Sequence, residues 1–294
     1  MDRGLTDLLG GPGVGYALAS FFFAGLNDIA YKRYSLSGAS RGMLVLGIGV
    51  AWTVLQLVVF WLGPARPVFD ATTVAYGAGA GGLLVVSNLL LLESYTRVDL
   101  SLGSTIYRLN TVAVVVLSYL FLDERIGAAK AGGVALGVLA VVLLSQRPAW
   151  HPAGRGHGIL VAAVVAAALF RAGYGVVTRK AMLAGASPEA LLLLVSSSWI
   201  VGGAAYALAK EGRLRLTRAK VGYAAISGTF VFLIVYFLLR AVQHGEASVV
   251  IPIANMSFVV ALGLSLATGL ERATARKLLA VAVAAAAIIL LSRA

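Results

Sequence analysis

The sequence predicts an all-α integral membrane protein: ten transmembrane helices arranged as two inverted five-helix repeats. Three observations predict it. The chain is 60% hydrophobic and 12% charged, with a mean hydropathy of +0.92, whereas soluble domains carry about 25% charged residues; this much apolar surface needs lipid as its solvent. Ten apolar runs are long enough to cross a bilayer, which takes roughly 20 residues. The second half also repeats the first in register, 147 positions on. Leu36-Ser37-Gly38-Ala39-Ser40 returns as Leu183-Ala184-Gly185-Ala186-Ser187, Trp52 as Trp199, and Ala75-Tyr76 as Gly222-Tyr223. Asp99-Leu100-Ser101 returns as Glu246-Ala247-Ser248, Glu124-Arg125 as Glu271-Arg272, and Leu143-Leu144-Ser145 as Leu290-Leu291-Ser292. Six matches at one spacing point to a duplicated unit. Five helices are an odd number, so the second unit enters the membrane from the opposite side, and a pseudo-two-fold axis in the membrane plane relates the two.

The first span, 13–31, carries Asn27 and Asp28 toward its end. A carboxylate there can accept a cation or exchange a proton, or it can be interfacial, near Lys32. The second, 41–62, holds Trp52 about halfway along, deeper than the interfacial belt tryptophan prefers. The third, 71–93, has Gly77, Gly79, Gly81 and Gly82 on small-residue faces and Asn88 further on. No Gly-Lys-Ser/Thr follows those glycines, so close helix packing, within the chain or in a homodimer, is the better reading than a phosphate loop. The fourth, 98–121, places Tyr107, Arg108 and Asn110 near mid-membrane. A charge there costs at least ~2.5–3.5 kcal/mol on insertion scales. Arg108 is therefore expected either to anchor an anion or to pair internally with an acid such as Asp28 or Glu93. The fifth, 128–145, carries Gly133 and Gly137 at small-xxx-small spacing.

A linker, 146–156, with two prolines joins repeat one (about 13–145) to repeat two (about 157–292) within a single membrane domain, 1–294. The sixth span, 157–178, carries Arg171 and, one turn on, Tyr174. Arg171 is the repeat mate of Ala24, so the first helices of the two repeats offer opposite charges near the pseudo-axis. The seventh, 188–209, holds Trp199; with Trp52 it forms either an aromatic wall for a solute or plain packing. After the eighth, 219–240, the ninth, 246–268, carries Asn255, the repeat mate of Arg108. Pro252 just before it is expected to loosen the helix and free a carbonyl. The tenth, 274–292, closes the second repeat.

Cysteine is absent, and His151, His157 and His244 lie in or near loops without a carboxylate cluster, so no metal and no cofactor is expected. A formal net charge of +12 would suggest nucleic acid for a soluble protein. Here most Lys and Arg sit in short loops between apolar runs, where they set topology beside anionic lipid, and nucleic acid is not an expected partner. Loop charges favour both termini outside.

Two stretches carry a family resemblance. One runs Ser104-Thr105-Ile106-Tyr107-Arg108-Leu109-Asn110, then Leu122-Asp123-Glu124-Arg125; the other runs Ile251-Pro252-Ile253-Ala254-Asn255-Met256-Ser257, then Gly269-Leu270-Glu271-Arg272. A polar turn, an apolar run, Leu-x-Glu-Arg and a small-residue closing helix together resemble the EamA-type branch of the drug/metabolite transporter superfamily, over essentially the whole chain. Glu124 and Glu271 then precede the closing helices, where a carboxylate meets the positive end of a helix dipole. The resemblance implies a multi-pass plasma-membrane protein, in the bacterial inner membrane, that exports a small metabolite rather than an enzyme. It also implies cytoplasmic termini, opposite to the loop-charge reading.

The implied partners are a small-molecule substrate, the lipid bilayer and a coupling proton or counter-solute. The expected site is a cavity between the repeats. Arg108 and Arg171 hold an anionic group and Asp28 a cationic group or proton. Asn27, Asn88, Asn255, Tyr107, Asn110, Tyr174, Trp52 and Trp199 shape the rest. That pattern fits an amino acid or a related zwitterion or organic anion. An organic cation or drug is the alternative within transporters; a membrane-embedded enzyme or a non-transporting scaffold is the alternative outside them.

Overall fold

A computed structural model describes residues 11–35, 40–63, 66–94, 106–144, 157–212, 217–267 and 274–294. Among these residues the chain is helical, without strands. The first repeat gives α1 (Pro12–Ser35), α2 (Arg41–Leu62), α3 (Ala71–Ser94), α4 (Asn110–Leu122) and α5 (Ala128–Leu144). The second gives α6 (His157–Leu183), α7 (Pro188–Tyr206, running on as a π-helical turn Ala207–Glu211), α8 (Arg218–His244), α9 (Ala247–Asn255), α10 (Phe258–Ala267) and α11 (Ala275–Ser292). Eight helical stretches are long and apolar enough to cross a membrane, and Ile106–Leu122 and Ala128–Leu144 are shorter apolar ones. The linker and Glu271 lie outside the described residues.

The packing obeys the pseudo-two-fold relation that the repeat arithmetic predicts. α1 packs on α8, and their mates α6 and α3 pack on each other; α2–α8 is mirrored by α7–α3, and α9–α1 by α4–α6. Three pairs join a helix to its own mate and so lie on the axis: α2–α7, α5–α11 and α4–α9. Trp52 and Trp199 meet on the first of these at 6.1 Å between ring centroids, edge to face. Part of each small-residue face serves close packing, Gly77 and Gly81 of α3 against α7 and Gly133 of α5 against α11, whereas Gly79 and Gly82 face open space. A Cβ on Gly77 would sit 2.5 Å from Leu194, one on Gly81 2.2 Å from the Ser198 hydroxyl, and one on Gly133 2.6 Å from Leu291. Outward, large apolar side chains stand exposed, Trp61 at 86% and Val201 at 69% among them, as suits a protein bathed in lipid.

Both fourth helices of the repeats are discontinuous at the same repeat position. On one side the Leu109 N–H turns to the Ile106 carbonyl; on the other the Met256 N–H turns to the Ile253 carbonyl. Leu109 and Met256 are repeat mates. The break therefore belongs to the repeat and not to Pro252 alone, which sits inside α9 while the chain stays helical to Asn255. Its consequence is a free carbonyl: the Val259 N–H, which a continuous helix would give to Asn255, goes to Met256.

Helix starts repeat as well. Ser40 and Ser187 precede α2 and α7; Asp70 and Thr217, also mates, precede α3 and α8. The Asp70 Oδ1 accepts from the Thr73 N–H at 2.7 Å, an N-cap in the usual sense. The Thr73 side chain and then its N–H hold the Asp70 carboxyl below the ordinary carboxylate range. A depressed carboxylate contributes stability above its unfolded pKa, about 3.9, and loses it as pH falls through the lower folded value. Asp70→Asn is expected to melt below wild type at neutral pH. The gap should close on acidification below the ordinary carboxylate range, as thermal scans across pH will read.

Candidate functional site

The break in α9 and the turn before α4 bring their polar groups together between the repeats. The Arg108 Nη2 donates to Asp28 Oδ2 of α1 at 2.9 Å, and its Nη1 donates to the freed Asn255 carbonyl at 3.0 Å. The Ser257 hydroxyl lies 3.4 Å from the Arg108 Nη1 and 3.3 Å from Asp28 Oδ2, so it joins acid and base. The Asn255 Nδ2 donates to Asn110 Oδ1 at 2.6 Å, with Thr111 Oγ1 at 3.3 Å. The ring of Phe258 lies under the guanidinium, 5.3 Å from its centroid. Arg108, Asp28, Asn110 and Asn255 thus form one network. It includes the Arg108–Asp28 pair that the sequence offers as one of two readings; Glu93 instead accepts from the Tyr206 hydroxyl at 2.6 Å.

The pair is not sealed off. The side chains of Arg108 and Asp28 keep 22% and 37% of their exposure. Beside Arg108, Thr111, Asn255 and Met256 line a cavity of about 10 Å³, room for no more than a water.

A second polar group adjoins the first around Tyr31 of α1, which has Asn27, Tyr107, Arg171 and Asp28 as its polar neighbours. Ser87 of α3 lies 3.2 Å from the Tyr107 hydroxyl and donates to the Ala167 carbonyl of α6 at 2.7 Å. Arg171 stacks over the Tyr174 ring at 5.6 Å and forms no ion pair with an acid among the described residues. Asn27 is 5% exposed, and its side-chain oxygen has no hydrogen-bond partner among the described residues.

The remaining candidates stand apart. The Asn88 amide donates to the Leu84 carbonyl of its own helix at 2.8 Å. Trp52 and Trp199 are 0% and 3% exposed and belong to the core between α2 and α7. The sequence reading did not single out Ser257, Thr111, Tyr31, Ser87 or Phe258. Ser257 had a signal: it is the repeat mate of Asn110.

Glu124 occupies a helix N-terminus, but that of α9 in the other repeat and not that of α5, which follows it. Asp123 ends α4 in the left-handed region, φ 57°, and this turns Glu124 back across the bundle. Its Oε1 and Oε2 accept from the Ala247 and Ser248 N–H groups at 2.8 and 2.9 Å. Among the described residues, no group of three or more His, Asp or Glu side chains is placed to hold a metal.

A family model described as the EamA-like transporter family matches residues 11–146 and again 158–293. The chain belongs to the EamA-like transporter family. Its two matched segments start 147 positions apart, the same offset as the repeat, and the architecture is that of a drug/metabolite-type membrane transporter, a multi-pass membrane protein taking a small-molecule substrate through lipid. Members of this family are transporters rather than enzymes. A search of curated protein sequences gives no match. A solved structure titled only "Crystal structure of protein" is similar at a TM-score of 0.79 and 13% identity, over 95% of this chain and 95% of that one; likeness at that identity concerns the fold.

Proposed function

We propose that this member of the family exports a small zwitterionic or anionic metabolite, an amino acid or a close relative, by alternating access around the site between the repeats. The observation that carries this reading is Arg171, a cation at membrane depth with no acidic partner among the described residues, beside an Asp28–Arg108 pair that keeps partial exposure. Arg171 is partly buried, and an unpaired charge within a span is costly, so a site that keeps one is built for a counter-charge that comes and goes. A zwitterion supplies both signs: its carboxylate answers Arg171 and competes for Arg108, and its ammonium answers Asp28. When the site is empty, Asp28 and Arg108 neutralise each other. The cavity beside Arg108 admits no solute of that size as it stands, so binding requires the helices around it to part, as alternating access demands. Export follows the family resemblance, and Asp28 is the group that would exchange a coupling proton.

Thermal shift of the purified protein over amino acids, organic anions, organic cations and sugars tests this. A carboxylate-bearing solute is expected to stabilise wild type. Arg171→Ala is expected to lose that shift while its own unliganded melting temperature stays within about 2–4 °C of wild type, as for a change of ~1 kcal/mol. Hits confined to organic cations, unaffected by Arg171→Ala and lost in Asp28→Asn, would replace this reading with that of a cation or drug exporter.

A further inference from the structure

We infer that Glu124, Lys130, Arg179 and Glu246 form an ionic latch that holds one face of the bundle closed and must open for solute to pass there. This rests on the transport reading above and names how access to that site is controlled. The face is the one where α4, α6 and α8 end and α5, α7 and α9 begin.

Each half contributes one acid and one base. From the first repeat, Glu124 holds the α9 N-terminus through two N–H groups, and Lys130 of α5 donates to Glu246 and, at 2.8 Å, to the Arg125 carbonyl. From the second, Arg179 of α6 lies 4.0 Å from Glu124 and donates to the Val242 carbonyl at the end of α8. The layer is tight: Glu124 and Lys130 are 7% and 5% exposed, and Ser248 beneath them 1%. Glu124 and Lys130 are the buried members, while Arg179 keeps 16% and Glu246 46% of its side-chain exposure; a buried charge that loses its partner is poorly tolerated, so the contact favours the fully matched state.

The latch is also joined to the site. α9 runs as nine residues from Ala247, under Glu124, to Asn255, whose carbonyl receives Arg108. At 1.5 Å per residue that is a rod of about 13 Å. When a solute draws Arg108 away from Asp28 and Asn255, the strain reaches the helix end that Glu124 holds. The sequence repeats the same four signs at the mates Lys32, Asp99, Glu271 and Lys277; Asp99 and Glu271 lie outside the described residues.

The chain contains no cysteine, so Ser248→Cys introduces a single thiol under the latch. A membrane-impermeant maleimide is applied from either side of reconstituted vesicles, in the Ser248→Cys background alone and with Lys130→Met or Glu246→Gln added. Labelling is expected to be slow with the latch intact. With either latch variant it should become at least about tenfold faster from one side only, as the open state gains population. Fast labelling with the latch intact, an unchanged rate in both variants, or equal acceleration from both sides would each overturn the latch. Glu246 is half-exposed, so Glu246→Gln gives a reading even where Lys130→Met does not fold. Thermal shift with solute on the same proteins separates the two ideas. One-sided acceleration with no solute shift upholds the latch and sinks the solute site, and a solute shift with unchanged labelling does the reverse.

Discussion

Arg108→Ala lowers the stability of the protein by about 2–3 kcal/mol, and Asp28→Asn in the same chain restores a large part of it. The magnitude follows from where the pair sits. A solvent-exposed pair is worth about 0–1 kcal/mol, and removing one partner of a fully buried pair costs about 3–5 kcal/mol. With side-chain exposures of 22% and 37%, Arg108 and Asp28 lie between those limits. Two further losses push the single substitution upward: the Asn255 carbonyl loses its donor at 3.0 Å, and the Ser257 hydroxyl faces a carboxylate with no counter-charge. Neutralising Asp28 removes the uncompensated charge, so the double variant should be clearly more stable than the sum of the two single effects. The departure from additivity should exceed about 1 kcal/mol. Denaturation midpoints in one detergent at fixed lipid content measure it. Strict additivity would mean that the 2.9 Å contact carries no energy and that Arg108 is held by Asn255 and Phe258 alone. Solute-induced stabilisation should vanish in Arg108→Ala as well, but only Arg171→Ala separates that loss from a loss of folding, because Arg171 holds no acidic partner among the described residues.

Composition and apolar runs gave the membrane class and the spans, the offset of 147 gave their pairing, and what could not be read involved contacts that the offset does not predict. Helix starts recur at mate positions, Arg41 and Pro188 among them, and the pairing of Trp52 with Trp199 and the approach of Arg108 to Asn255 join a residue to its own mate. These are the contacts a two-fold axis makes. Glu124 was legible as a carboxylate at a helix N-terminus, but which helix was decided by a single left-handed residue, Asp123, and the capped N–H lies 123 positions away. Asn88 looked free on an apolar run; its amide found the carbonyl four residues back, a choice of rotamer that composition does not encode. The expectation for Pro252 was half met. A carbonyl is free beside it, yet the break recurs at Leu109, where the fourth helix of the first repeat has no proline near the mate position. Geometry at the axis, with two turns facing each other, accounts for both breaks where proline accounts for one.

Gly203→Val is expected to have the largest effect of any single substitution in the chain, because backbone meets backbone there. A Cβ at Gly203 would lie 2.4 Å from the Leu46 nitrogen, and one at Gly49 2.7 Å from the Ile200 nitrogen. Small-to-large changes in a packed core cost about 1–3 kcal/mol when side chains can give way. Here the obstacle is the main chain of the facing helix, so α2 and α7 must separate, and about 3 kcal/mol or more is expected. Membrane helices lack a hydrophobic drive to stay together and depend on such close approach. The contact lies on the pseudo-two-fold axis next to Trp52 and Trp199, so separation should break the edge-to-face contact of those rings, and a change in tryptophan emission should accompany the loss of stability. Gly79→Ala and Gly82→Ala are the matched controls. Both glycines face open space, where an added Cβ meets nothing within 4 Å. There the higher helix propensity of alanine, about 0.5–1 kcal/mol, should leave stability unchanged or raised. A Gly203→Val protein that melts with wild type, its emission unshifted, would mean that α2 and α7 stand further apart in the membrane, and the axis would then have to be held by α5–α11 and α4–α9 instead.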